Sequence, residues 1–234
     1  MNIGGFQKTS LIDYPGKISC IVFLSGCNFH CPYCHNPELA RPGAKREPVM
    51  DLNELIRFLA RRVGLIDGVV ITGGEPTLQA DLPMLCREIR ALGFSIKLDT
   101  NGSRPDILEG LITDQLVDFL AMDIKTDPDR YAPFISDTCK PAAIRAAIGL
   151  ILSSQLPHEF RTTCVKPIID EDAIHIIGEL LAGAQSHALQ RVQHENVDTL
   201  HPEFFRNHEW FIDDTTLKRY QSLLAEYVGA CLIR

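Results

Sequence analysis

Two hydrophobic periods take turns along this chain. Short apolar runs rich in β-branched residues are followed by stretches whose apolar positions recur every three or four residues. The first kind reads as buried strand and the second as amphipathic helix. "ISCIVFL" (18–24) opens the series as a strand, and "DLNELIRFLARRVG" (51–64) follows as a helix behind the N-cap residue Asp51. "GVVIT" (68–72) and the helix at 81–93, ending at Gly93, make the second pair. "FSIKLDT" (94–100) precedes a helix at 104–112, and "VDFLAMDIK" (117–125) precedes one at 141–154 with Pro141 in its first turn. "EFRTTCV" (159–165) leads into a helix at 171–184, and "ALQRVQ" (188–193) precedes the last helix, at 213–228.

Six strand–helix units without linker, repeat or low-complexity tract predict a parallel sheet with right-handed crossovers. A closed eight-unit barrel takes about 250 residues. Six units in 234 residues therefore predict an α/β fold of the partial (β/α)6 TIM-like kind, parallel and open along one side. The whole of 1–234 reads as one domain, with a core at about 16–192 and a closing segment and helix at 193–234. In such folds chemistry gathers at the carboxyl ends of the strands. The polar motifs fall there: a cysteine loop after the first strand, "GGEP" (73–76) after the second, "DTNG" (99–102) at the third and "MDIKT" (122–126) at the fourth. Arg161 lies in the fifth strand and Gln190 in the sixth.

Composition narrows the classes. No apolar run approaches the ~20 residues of a membrane helix, and the N-terminus lacks the apolar block of a secretory signal. A cytoplasmic protein with no membrane partner is expected. The net charge is −7 with no Lys/Arg stripe, which argues against a nucleic-acid partner. Eight cysteines in a reducing compartment are not expected to pair as disulfides. Cys20, Cys86, Cys139, Cys164 and Cys231 are scattered and read as small buried hydrophobes.

The other three crowd into "FLSGCNFHCPYCHNPEL" (23–39) as Cys27, Cys31 and Cys34. Structural zinc wants four closed ligands, usually as two pairs. Here no second pair follows, and His35 adjoins Cys34 too closely for an easy fourth corner. Cys20 lies several residues back on an extended strand, at ~3.3 Å per residue, below the loop. Three thiolates suit a [4Fe–4S] cube, which would keep one iron open for chemistry. Zinc on three thiols and a histidine stands as the alternative, a metal-binding module rather than an enzyme.

Cys27-Asn28-Phe29-His30-Cys31-Pro32-Tyr33-Cys34 resembles the radical S-adenosylmethionine (SAM) signature, C-x3-C-x2-C with an aromatic before the last cysteine. The wider run "IDYPGKISCIVFLSGCNFHCPYCHNPEL" (12–39) resembles the activating enzymes of glycyl radical enzymes. It is most like the activators of anaerobic ribonucleoside-triphosphate reductase, with a D-x-P-G turn before the first strand and Y-C-H-N closing the loop. The resemblance implies a [4Fe–4S] cluster on Cys27, Cys31 and Cys34, and SAM chelated at the open iron. Gly73, Gly74 and Glu75 match the SAM amine site; alone, "GGEP" could be a plain strand-to-helix turn. Tyr33 and His35 match the adenine pocket, and Lys125 a ribose contact; the bland readings are a packing aromatic and a solvated lysine. Asp99, Thr100 and Asp123 match a monovalent-cation site, although "DTNG" is also good turn chemistry by itself. Arg161 and Gln190 match polar positions near the cofactor, and His30 reads as a loop residue without a ligand role.

The implied reaction is reductive cleavage of SAM followed by hydrogen-atom removal from a backbone glycine of a partner enzyme, with no side chain as acid or base. The implied partners are a glycyl radical enzyme such as anaerobic ribonucleotide reductase, and a flavodoxin or ferredoxin as electron donor. A radical SAM enzyme acting on a small molecule, such as a deazapurine carboxylate synthase, is the second reading.

Overall fold

A computed structural model describes residues 1–40, 47–192, 199–207 and 209–234. Among the described residues hydrogen bonding places eight strands, β1 to β8, in sequence order. The chain forms two compact units, the first of Met1–Asn28, Glu38–Thr100 and Asp106–Leu120, the second of Phe29–Pro37, Asn101–Pro105 and Ala121–Arg234.

In the first unit, β1 (Ile3–Ser10) pairs antiparallel with β2 (Ser19–Leu24), and β2 pairs parallel with β3 (Gly68–Gly73). β3 pairs parallel with β4 (Ser95–Thr100). A one-turn helix α1 (Pro37–Ala40) follows the cysteine loop, and α2 (Leu52–Ala60), α3 (Leu82–Ala91) and α4 (Pro105–Thr113) connect the later strands. Asp51 caps α2 as the sequence predicts: its carboxylate accepts from Glu54 N, and the Glu54 carboxylate accepts from Asp51 N, which satisfies two orphan donors of the first turn. α2 buries Leu55 and Leu59, four apart, and α3 buries Leu82, Leu85, Cys86 and Ile89 at helical spacing. Tyr14, Ile21 and Val70 pack together with Phe23 and Phe119 against them. Each such fully buried side chain stabilises the fold by roughly 1.5–3 kcal/mol.

β5 (Phe119–Asp123) is followed in the second unit by α5 (Pro141–Ser153), β6 (His158–Cys164), α6 (Glu171–Leu180) and β7 (His187–Arg191). The chain continues through α7 (Pro202–Asn207), α8 (Asp214–Leu224) and β8 (Cys231–Ile233). β6 pairs parallel with β7, and β7 with β8. Asp170 and Asp213 cap α6 and α8 by accepting from Ala173 N and Thr216 N. α5 buries Ile144, Ala147, Ile148 and Ile151, and α6 buries Ala173, Ile174 and Ile177.

This is an α/β fold with a mostly parallel, open sheet, the architecture of a partial barrel. All six expected strands form within two residues of their expected ends, Gln193 at the end of the sixth run lying outside the described residues. Two further strands, β1 and β8, were not expected. The helices at 51–64, 171–184 and 213–228 each stop four residues early, because the chain tightens into turns. Arg62 N donates to Leu59 O, Ala184 N to Leu181 O and Tyr227 N to Leu224 O, all three residues back. Among the described residues no helix is long and apolar enough to cross a membrane.

Candidate functional site

In the first unit the site is built where β2 and β3 end. Past Leu24 the backbone is held on several sides: Ser25 N donates to Asn2 O at 2.9 Å and Gly26 N to Leu39 O at 2.7 Å. Cys27 follows at once. The "GGEP" turn lies directly on this segment, with Gly74 N donating to Leu24 O at 2.8 Å and Glu75 N to Gly26 O at 2.7 Å. A Cβ on Gly74 would sit 2.1 Å from Gly26 O, and one on Gly73 would sit 2.3 Å from Leu24 O. Gly73 also has a φ of +123°, which side-chain-bearing residues avoid. Both glycines are thus required by backbone-to-backbone approach, and "GGEP" abuts the start of the cysteine loop as the sequence predicts.

Glu75 is fully buried. Its Oε1 accepts three hydrogen bonds, from Thr77 N at 3.1 Å, Thr77 Oγ1 at 2.5 Å and Thr100 Oγ1 at 2.8 Å. Glu75 therefore caps the 3₁₀ turn Pro76–Leu78 and ties it to the end of β4. Two assigned residues, Glu75 and Thr100, are brought together, joined by Thr77, which sequence reasoning missed. Its signal was a hydroxyl two residues after an acid at a turn. Asp99 has a partner that was also missed. Lys97, 3% exposed, reaches it along the same face of β4, with Nζ 2.6 Å from Asp99 Oδ1.

Cys31, Tyr33, Cys34 and His35 lie in the second unit. Here the loop is tied down by His30 N donating to Ile135 O at 2.9 Å and Cys34 N donating to Cys31 O at 3.1 Å. The His30 ring lies 3.0 Å from Pro133 O through Nε2. Phe29 packs edge-on against the buried Tyr131, centroids 5.6 Å apart, and Lys125 N donates to the Tyr131 hydroxyl at 3.3 Å. Tyr33 is buried, and its hydroxyl has no hydrogen-bond partner among the described residues. Burial, reinforced by the charges of Cys31 and Asp123, pushes the Tyr33 hydroxyl well above the usual range. Burial, with the Lys125 charge, lowers the His35 pKa and favours its neutral ring.

Asp123 ends β5 and joins two cations. Its Oδ2 accepts from Lys125 Nζ at 2.9 Å and its Oδ1 from Arg161 Nε at 2.7 Å. Burial disfavours the charged carboxylate, but Arg161 and then Lys125 outweigh it and hold Asp123 far below the usual carboxylate range. Burial likewise opposes the Lys125 charge, and Asp123 overrides it, so the ammonium loses its proton only well above the usual lysine range. Three assigned residues thus form one charge cluster. Gln190 shares Arg161's face of the sheet one pleat further along, because Arg161 is in register with Ala188 and Thr163 with Gln190.

Among the described residues no three Cys, His, Asp or Glu side chains gather closely enough to hold a single metal ion. The donor set still fits a [4Fe–4S] cluster. Cys27 and Cys34 are partly exposed, whereas Cys20, Cys86 and Cys164 are buried and their thiols are pushed up to about 12 by that burial. A thiolate is the better ligand. Within the loop Cys27 and Cys34 are partly exposed and Cys31 is buried, and Cys139 and Cys231 are partly exposed elsewhere. The spacing of the three loop thiols, not exposure alone, is therefore what fits the cluster. The orphaned Tyr33 hydroxyl and the His35 ring, whose pKa burial lowers, flank Cys34 in sequence and fit a polar, aromatic ligand.

A family profile described as the radical SAM superfamily matches residues 21–180. The chain belongs to the radical SAM superfamily, enzymes that work with a [4Fe–4S] cluster and SAM. Within it, the chain is similar to a protein of Methanocaldococcus jannaschii provisionally named a glycyl-radical enzyme activating enzyme. They are 35% identical over 209 residues, 86% of this chain and 83% of that protein. It is also 33% identical over 138 residues to the pyruvate formate-lyase-activating enzyme of Clostridium pasteurianum, 55% of each chain. A shorter match, 37% over 89 residues and 38% of each chain, is to the 7-carboxy-7-deazaguanine synthase of Aquifex aeolicus. Streptococcus suis SuiB, solved bound to S-adenosylmethionine, shares the fold with a TM-score of 0.64 at 14% identity, over 92% of this chain and 51% of that one.

Proposed function

We propose that this enzyme makes a glycyl radical on a partner polypeptide, anaerobic ribonucleoside-triphosphate reductase, with a flavodoxin or ferredoxin supplying the electron. The observation that carries the reading is the loop at 12–39, where a D-x-P-G turn, C-x3-C-x2-C and Y-C-H-N occur in one run. Likeness to a provisionally named activating enzyme over nearly the whole chain supports it. The match to the deazaguanine synthase, which favours the small-molecule reading, covers little more than a third of the chain.

The residue roles follow the motifs. Cys27, Cys31 and Cys34 hold the cluster. Gly73 and Gly74 bring backbone carbonyls close to the SAM amine, and the Glu75 charge favours that ammonium. Tyr33 and His35 border the adenine, Lys125 the ribose, and Arg161 and Gln190 the remaining polar edge. Bound there, cluster and SAM supply one-electron reduction and hydrogen-atom abstraction. The side chains bind, orient and exclude water; with Asp123, Lys125 and Arg161 already sharing charge, none of these three is poised as an acid or base.

The test is anaerobic reconstitution followed by iron, sulfide and turnover assays. Four irons and four sulfides per chain are expected, lost in Cys27→Ala, Cys31→Ala or Cys34→Ala and kept in Cys139→Ala. With dithionite the wild-type protein should form 5′-deoxyadenosine, faster when the reductase is added. Turnover of a free pterin or purine precursor without any polypeptide would move the reading to the small-molecule class.

A further inference from the structure

Resemblance assigns Asp99, Thr100 and Asp123 to a monovalent cation, and the structure does not fit that assignment. Both carboxylates already carry a cation from their own unit. Asp123 is engaged by Lys125 and Arg161, at 2.9 and 2.7 Å. Asp99 is engaged by Lys97, with Nζ 2.6 Å from Oδ1. The Lys97 pairing is built in rather than casual. Lys97 sits in the middle of β4 between the buried Ile96 and Leu98, and is itself 3% exposed. Two residues apart on one strand, Lys97 and Asp99 share a face. The ammonium also lies 6.0 Å from the Phe119 ring centroid, so a π face helps to hold the charge there. A buried lysine without a partner would be costly. Here the partner is the carboxylate that a potassium or sodium ion would need.

We propose that Lys97 is a positioning residue that serves as a tethered counterion at Asp99, so that this enzyme binds SAM without a monovalent cation. An ion beside Asp99 would lie within one carboxylate of the Lys97 ammonium, and like charges that close repel strongly in a site sheltered from water. A covalently held ammonium also needs no recruitment from solution, so its ordering cost is met once, on folding. The proposal rests on the reading that "DTNG" lies at the SAM site, and its test separates the two.

The test uses full-length reconstituted protein in potassium, sodium and choline chloride at matched ionic strength, with thallium(I) as a spectroscopic stand-in for potassium. In wild type, SAM affinity and thermal midpoint should match in the three salts, and thallium nuclear magnetic resonance should show no saturable site. Lys97→Met should weaken SAM binding in choline on the order of tenfold or more, as expected when a hydrogen bond to a charged group is lost. Potassium should restore it, and a thallium site should appear. Lys97→Arg, which keeps the charge, should behave as wild type. A saturable thallium site or a potassium-specific rise in midpoint in wild type would overturn the proposal, even if Lys97→Met fails to fold. So would a Lys97→Met protein that folds and binds SAM normally in choline. If wild type bound no SAM in any salt, the cofactor reading would fail while the thallium titration still decided the cation question.

Discussion

Glu75 has one role in the structure and a second under the proposed function, and one substitution can separate them. As an acceptor it satisfies Thr77 N, Thr77 Oγ1 and Thr100 Oγ1 in a fully buried place. As a charge it is suited to an ammonium. Glu75→Ala strands buried donors, and should lower unfolding free energy by about 1–3 kcal/mol in a urea titration. Glu75→Gln keeps an acceptor oxygen but loses the charge. It should remain folded with its iron content intact, and bind SAM roughly tenfold more weakly by equilibrium dialysis. Unchanged SAM affinity in the glutamine variant would leave Glu75 as a cap alone. His187 provides a second measurement, independent of any cofactor. It is wholly buried on β7, its Nε2 lies 3.0 Å from Thr162 Oγ1, and its Nδ1 has no partner among the described residues. Burial lowers its pKa from 6.5 to about 4. A depressed histidine binds its proton more tightly in the unfolded chain. Its contribution is therefore complete above pH ~6.5 and is lost as pH falls toward 4, by up to about 3 kcal/mol. His187→Asn should flatten the slope of unfolding free energy against pH in that window; an unchanged slope would assign acid lability elsewhere.

At the scale of the element, the decisive feature is the strand end where β3 turns back over the cysteine loop. Gly74→Ala places a methyl group 2.1 Å from Gly26 O, a backbone atom that cannot step aside cheaply. The variant should lose most of its iron on reconstitution although every cysteine remains, read by iron analysis and visible absorption. Full iron loading would show that the turn does not set the loop. Much of this element layer was legible in the sequence. β-branched runs such as "GVVIT" and "FSIKLDT" marked strands, Asp51 marked a helix start, and "GGEP" marked the turn. β1 was hidden because "IGGF" reads as loop. Gly4 is there for contact, since a Cβ would meet Ser25 Oγ at 2.1 Å. β8 was hidden because three residues, none of them buried, carry no readable period. Lys97 was hidden for the opposite reason. One charged residue in an apolar strand looks like an outward position, and only the partner two residues on explains its burial.

Across the whole chain, the six expected strands and the cysteine loop could be read because each is local in sequence. The pairing of Asp123 with Arg161, 38 residues apart, could not, since it depends on where β5 and β6 place their side chains. The proposed function also belongs to the whole chain, because it asks for a polypeptide substrate that gives up a hydrogen atom from a glycine Cα. The direct measurement is electron paramagnetic resonance on the reconstituted protein mixed with SAM, a reductant and the anaerobic reductase. The expected result is a glycyl-radical doublet on the reductase, absent with the Cys31→Ala protein, that collapses toward a singlet when the reductase glycines are α-deuterated. Rapid SAM cleavage with no doublet on the reductase or on any other glycyl radical enzyme offered, together with conversion of a free small molecule, would contradict it.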